Sequence, residues 1–178
     1  MKFLQLALAA AVSLAAFPAS AATFESGNWA AAKIGQTCHV FTQRAARDTT
    51  GALVFSFGPQ GTNAGFAYEY APWPGETGAP WDEGDFVLLE VDGQEIWLGE
   101  EMFAGPGPNG YTAGMPRGFV SEMIAAALGA QSSISVNFDR AAHGEVWLYG
   151  KFATDGLAAS LTRAGAWCGF DPNRLPSS

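Results

Sequence analysis

Cys38, His39, His143 and Cys168 are the residues that could bind zinc or supply a nucleophile and its base, and their spacing argues against both. Neighbours on a strand point to opposite faces, so Cys38 and His39 cannot face one metal together. The two histidines lie about a hundred residues apart with no local signature, and G-x-S-x-G is absent. So are H-E-x-x-H, C-x-x-C and the Walker pattern. The glycine-rich runs Gly58 to Gly65 and Gly105 to Gly114 lack the Lys-Ser/Thr that completes a phosphate cradle. The chemistry left to the two cysteines is a disulfide.

Carboxylates are the other reactive class. Asp82, Glu83, Asp85, Glu90, Glu95, Glu100 and Glu101 could offer oxygen ligands to calcium, but the EF-hand spacing is missing. A solvated acidic face with no bound cofactor is the expectation. A glycosidase pair needs two carboxyls across a deep cleft, which a domain of this size seldom provides. Trp73 and Trp81 bracket a Pro/Gly loop beside Asp82, Glu83 and Asp85. As exposed indoles they would stack on sugar rings or anchor a partner; as buried ones they would plug the end of the fold.

Charge narrows the partners. The chain carries 9 Lys and Arg against 17 Asp and Glu, a net charge of −8. No basic residue falls between Arg47 and Arg117, a stretch that holds most of the carboxylates. Such a surface repels phosphate backbones and anionic lipid, so no nucleic acid is expected as a partner.

These residues must be positioned by one exported domain. Lys2, the apolar run Phe3 to Phe17 and the small-residue segment Pro18 to Ala21 read as a signal peptide over 1–21, cleaved after Ala21 or Ala22. The rest, 22–178, reads as a single β-rich domain with no further membrane segment. In an oxidising compartment Cys38 and Cys168 pair by default. Closing so long a loop stabilises the fold by up to about 5 kcal/mol in chain-entropy terms.

Turn signals at short intervals and alternating segments indicate strands. Trp29 to Lys33 and Thr37 to Thr42 form a hairpin, Ala52 to Phe57 is a strand, and Phe66 to Tyr70 follows the first glycine loop. Asp92-Gly93 marks a type I′ hairpin between Phe86 to Val91 and Gln94 to Leu98. Counting back from that turn pairs Glu90 with Glu95, Leu89 with Ile96 and Val87 with Leu98. A helix is expected over Pro116 to Leu128, after an irregular loop from Gly105 to Gly114. Ser133 to Phe138 and Glu145 to Phe152 make another hairpin, with Val146 and Leu148 matching Ile134, Val136 and Phe138 on one face. Thr154 or Asp155 caps a last helix, whose stripe Leu157, Leu161, Ala164 and Cys168 brings the second cysteine toward Cys38 on the opening hairpin. The expected architecture is mainly β: an antiparallel β-sandwich or flattened barrel with two short helices, one at the C-terminus.

Trp29-Ala-Ala-Ala-Lys33 with Cys38-His-Val, Glu83-Gly-Asp85 before Val87-Leu-Leu and Val91-Asp-Gly93, and Gly150-Lys-Phe152 with Gly156-Leu-Ala-Ala-Ser-Leu161 and Cys168 are spread over 22–178. In these motifs the chain resembles the invasion-associated locus B family of bacterial exported proteins. It departs from that pattern in the Pro/Trp-rich insert from Ala71 to Trp81. The resemblance implies a periplasmic or surface-exposed β-rich protein with no established enzymatic role or cofactor. The functional expectation is a non-enzymatic bacterial protein, periplasmic or secreted, acting through an unknown protein or envelope partner. The alternative is a small carbohydrate- or calcium-binding module built on Trp73, Trp81 and the acidic stretch 82–101.

Overall fold

A computed structural model describes residues 21–45, 50–72, 74–75, 78–79, 81–82, 84–99, 103–107, 110–114 and 120–176. The expected signal segment before residue 21 therefore lies outside the described residues, as do Trp73, Glu83, Glu100 and Glu101.

Two antiparallel sheets face each other without closing into a barrel. The larger is built from β1 (Ala22–Ser26), β2 (Trp29–Ile34), β3 (Thr37–Ala45), β4 (Thr50–Phe57), β5 (Gly65–Ala71), β8 (Phe103–Gly107) and β9 (Gly110–Gly114), in the order β1-β2-β3-β4-β5-β9-β8. The smaller runs β11-β10-β6-β7, with β6 Phe86–Val91, β7 Gln94–Gly99, β10 Ser133–Arg140 and β11 Glu145–Ala153. Alternation sends Val40, Leu53, Phe55, Phe57, Phe66 and Tyr68 inward from the large sheet. Val87, Leu89, Ile134, Val136, Phe138 and Phe152 are buried on the small one. A buried hydroxyl links the layers: Tyr68 Oη donates to the Tyr149 carbonyl at 2.9 Å. Burial, reinforced by Tyr70 and Tyr149, holds the Tyr68 hydroxyl above its ordinary pKa, so it stays a donor.

The Asp92-Gly93 turn forms as expected, with φ of 52° and 79° at its two residues. Glu90 pairs with Glu95, but a bulge between Leu89 and Glu90 then sets Leu89 opposite Trp97 and Val87 opposite Gly99. The expected pairs Leu89–Ile96 and Val87–Leu98 are thus displaced by one residue. Asp92 also pins the following segment: its carboxylate accepts from the backbone N–H groups of Gln131, Ser132 and Ser133 and from Ser132 Oγ. Those bonds pull its pKa well below the usual carboxylate range.

A second bulge, between Val136 and Asn137, pairs Val136 with Gly150 and Asn137 with Leu148. Tyr149 is the extra residue on β11. Val146 and Leu148 therefore do not join Ile134, Val136 and Phe138 in the core as expected; they face solvent, 57% and 44% exposed. The stretch expected as a loop from Gly105 to Gly114 instead contributes to the pair β8–β9, and β9 docks on β5. β1, absent from the sequence reading, pairs with β2 through the turn at Gly27-Asn28.

Helix α1 (Val120–Gly129) buries Val120, Met123, Ile124 and Ala127; residues 116–119, the expected start of that helix, lie outside the described set. Helix α2 (Leu157–Cys168) packs its stripe Leu157, Leu161, Ala164 and Cys168 against β2 and β3. Its N-cap is Gly156 at φ 90°, with no side-chain cap, in place of Thr154 or Asp155. The reason is close approach: a Cβ at Gly156 would lie 1.7 Å from the Ser26 carbonyl oxygen. At the other end Lys33 Nζ donates to the Trp167 carbonyl at 2.7 Å, placing a cation at the helix C-terminus.

Candidate functional site

Cys38 projects inward from β3 and Cys168 closes α2, and the two sulfurs are bonded, with Cα atoms 6.2 Å apart and a sequence separation of 130. His39, the next residue on β3, takes the opposite face of the strand, and burial lowers its pKa against the raising effect of Glu69.

The acidic, tryptophan-bearing segment meets the β10–β11 hairpin at one end of the sandwich. Asp82 N–H donates to Asp85 Oδ2 at 2.8 Å, and Asp85 N–H donates to the Asp82 carbonyl at 3.1 Å. This tight turn aims both carboxylates at Arg140, the last residue of β10. Arg140 Nε lies 2.5 Å from Asp85 Oδ2, and its Nη2 donates to Asp82 Oδ2 at 2.8 Å. Asp85 is only 2% exposed. Burial alone would disfavour the guanidinium charge, but the hydrogen bond to Asp82 and the Asp85 charge outweigh it, and the Arg140 pKa sits above its ordinary value. Asp85 Oδ1 and Trp81 Nε1 find no hydrogen-bond partner among the described residues, so this corner holds its charges at a cost in unmade bonds.

Aromatic rings surround the ion pair. Trp81 stacks on Phe138, with ring centres 4.7 Å apart and planes at 10°, and meets Tyr70 and Tyr149 edge-on. At 4% exposure its indole is a plug for the end of the core and offers no face to a sugar. Outside this plug, the Arg140 guanidinium lies 4.6 Å from the Trp147 ring centre, a cation–π contact. His143 stacks on the same indole at 6.2 Å and reaches to 3.9 Å from Asp82 Oδ2. Trp147 Nε1 donates to Glu145 Oε2 at 2.8 Å.

Of the expected binding set, then, Trp81, Asp82 and Asp85 do come together, and Trp73 and Glu83 lie outside the described residues. What joins the two aspartates is Arg140, which lies between the two strand segments expected for that hairpin, while Trp81 stacks on Phe138. A signal was present: Arg140 is the one Lys or Arg between Arg117 and Lys151. With a cation already supplied by the chain, Asp82 and Asp85 act as partners to a guanidinium. Among the described residues no three His, Cys, Asp or Glu side chains converge as metal ligands would. A separate cavity of about 360 Å³ opens beside the β1–β2 turn, lined by Glu25, Asn28, Trp29, Ala30, Phe41 and Thr42. Among the described residues no helix is long and apolar enough to cross a membrane.

No protein-family model matches the sequence, and no curated protein does. The fold, however, matches the crystal structure of invasion associated protein B from Bartonella henselae. The TM-score is 0.58 at 15% identity, over 82% of this chain and 95% of that one. The likeness lies in the fold, which is the framework that the cysteine, hairpin and closing-helix motifs pointed to.

Proposed function

We propose that this chain, which shares its fold with invasion associated protein B, is a non-enzymatic exported protein, periplasmic or secreted, that acts through contacts with another protein or the cell envelope. The observation that carries the reading is the division of labour at the β10–β11 hairpin. On its inner side the charged and aromatic groups are committed to one another: Asp82 and Asp85 to Arg140, Trp81 to Phe138, and Trp147 to Arg140, His143 and Glu145. On its outer side Val146 and Leu148 are large apolar residues left in solvent, which is the side chemistry of contact rather than of turnover. Export is supported by the signal-like pattern over 1–21 and by a disulfide that an oxidising compartment would keep.

The test is in-cell photo-cross-linking from a probe residue at Leu148, with a probe at exposed Thr162 on α2 as the comparison. One dominant protein adduct at Leu148, identified by mass spectrometry and absent at Thr162, is the expected result. No adduct, or the same adducts from both positions, would sink the proposal.

A further inference from the structure

The cavity beside the β1–β2 turn follows from the register of three strands. Glu25 on β1 pairs with Ala30 on β2, and Ala30 pairs with Phe41 on β3. Trp29 and Ala31 are buried inward, so Ala30 and its two cross-strand neighbours stand on the outer face of the large sheet. Adjacent strands lie about 4.8 Å apart, which sets the Glu25 and Phe41 side chains roughly 10 Å from each other across an alanine. The Ala30 methyl is too short to fill that gap. The result is a notch with a carboxylate on one wall, an aromatic ring on the other and an apolar floor.

The turn beside it is fixed from within the chain. Asn28 N–H donates to the Asp155 carbonyl at 2.9 Å, and the Asn28 carbonyl accepts from Thr42 Oγ1. A Cβ on Gly27 would lie 2.2 Å from Asp155 Oδ2, so the missing side chain makes room for a second carboxylate at the same turn. The donors of Thr42 and Trp29 are committed, the first to Asn28 and the second, Nε1, to the Ala153 carbonyl at 2.7 Å. Among the described side chains that line the cavity, Glu25 carries the only charge. His39 stands two residues before Phe41 on the same face of β3. Burial lowers its pKa against the raising effect of Glu69, so it stays uncharged at neutral pH. A site with an accepting charge, a π-face and few available donors repels anions and serves sugars poorly, since their hydroxyls need donors as well as acceptors. It suits a flat cation that brings its own donors.

We infer that this notch binds a guanidinium group on an alkyl stem. Glu25 accepts from the fork of N–H groups, the guanidinium plane lies over Phe41, and the stem runs across Ala30. The cavity, about 360 Å³, is small for a ligand pocket and ample for one such group. It is separate from the Val146 and Leu148 surface and does not rest on the contact reading given there. A free alkylguanidine and an arginine side chain of a protein present the same chemistry, and the test separates them.

The probes are butylguanidinium and Nα-acetyl-arginine N-methylamide, with Nα-acetyl-citrulline N-methylamide as the uncharged isostere. Each is titrated into the disulfide-bonded protein and amide shifts are read by NMR. Physiological ionic strength screens the diffuse field of a chain of net charge −8 beyond about 8 Å. Both contacts are partly solvated, so a single group binds at millimolar concentration. The expected result is saturable shifts at 25–30 and 39–42 with both cations, and at least fivefold weaker binding of the citrulline probe. Glu25→Gln, at an exposed position on the edge strand, and Phe41→Leu should each weaken the arginine probe at least threefold while keeping the remaining spectrum. Glu122→Gln, which removes an exposed carboxylate on α1, should leave its affinity unchanged. Equal affinity for the two cations supports the site with a free cation as its source; at least tenfold tighter binding of the arginine probe supports it with a protein as its source. No saturation at tens of millimolar, equal binding of the citrulline probe, affinity unchanged in Glu25→Gln or Phe41→Leu, an equal loss in Glu122→Gln, or shifts confined to other parts of the chain would each overturn the inference.

Discussion

Replacing Arg140 with methionine isolates the charge on which the tryptophan-bearing end of the sandwich depends. Arg140 Nε sits 2.5 Å from Asp85 Oδ2, and both residues are buried, at 5% and 2% exposure. At an effective dielectric of about 20, unit charges at this range attract by roughly 5–7 kcal/mol. That scale offsets the several kcal/mol each ion loses on leaving water, so the pair as a whole contributes little net stability. Removing one member is another matter: Asp85 keeps its burial and loses its counter-ion, and the expected loss for Arg140→Met is about 3–5 kcal/mol. The same substitution frees Asp82 and takes the cation from the Trp147 face. Urea unfolding followed by tryptophan fluorescence and far-UV circular dichroism reads this directly. With an m-value near ~2 kcal/mol/M, the midpoint falls by roughly 1.5–2.5 M. The pair Asp85→Leu with Arg140→Met removes both charges, and should be more stable than Arg140→Met alone by at least about 1 kcal/mol. A single-variant loss under about 1 kcal/mol, or a double variant that merely sums the two single losses, would refute the claim that the pair is buried and coupled.

Trp81→Ala removes the plug stacked on Phe138 and should cost about 3–5 kcal/mol in urea unfolding; an unchanged midpoint would mean that the indole is not part of the core. Reduction of the Cys38–Cys168 bond adds two hydrogens to the intact mass and should lower stability by up to about 5 kcal/mol, read as a loss of urea midpoint in dithiothreitol. Gly156→Ala forces a Cβ against the Ser26 carbonyl at positive φ and should cost more than about 2 kcal/mol, or about 4–8 °C in Tm. Gly35→Ala, at φ 61° with open space around it, should cost about 1 kcal/mol. Asp92→Asn tests linkage. A carboxylate whose folded pKa is depressed stabilises the fold above its unfolded pKa near ~4, and that stability is lost as pH falls toward the folded value. Urea midpoints measured from neutral pH down to acid should therefore fall less steeply below pH ~4 in the variant than in the wild type; parallel curves would count against the Asp92 clamp.

What could be seen in the sequence was local. Asp92-Gly93 announced its turn because only a few residue pairs accept positive φ twice in succession, and the stripe Leu157, Leu161, Ala164 and Cys168 announced its helix by period. The register of the hairpins was not legible. Each bulge inserts one residue, at Ile96 in one hairpin and Tyr149 in the other, without a composition that marks it. The consequence was largest on β11, where the slip moved Val146 and Leu148 from core to solvent. β8 and β9 were hidden for another reason: Gly105, Pro106, Gly107, Gly110 and Gly114 have loop propensities, and the pairing of β9 with β5 and of β8 with β9 overrides them. At the candidate site, Trp81, Asp82 and Asp85 were visible as a cluster in sequence. Arg140 was not, because its 58-residue distance from Asp82 is bridged only by the sheet.

The disulfide has a bearing on how the molecule is made. With two cysteines only one intramolecular pairing exists, so maturation calls for an oxidant and no shuffling of wrong bonds. One partner sits on β3 and the other at the end of the last described element, α2. The bond therefore cannot close natively until every strand between them has been delivered and α2 has reached β2 and β3. A thiol assay on newly made chains would thus report the arrival of the last described helix, making oxidation a natural marker of completed assembly.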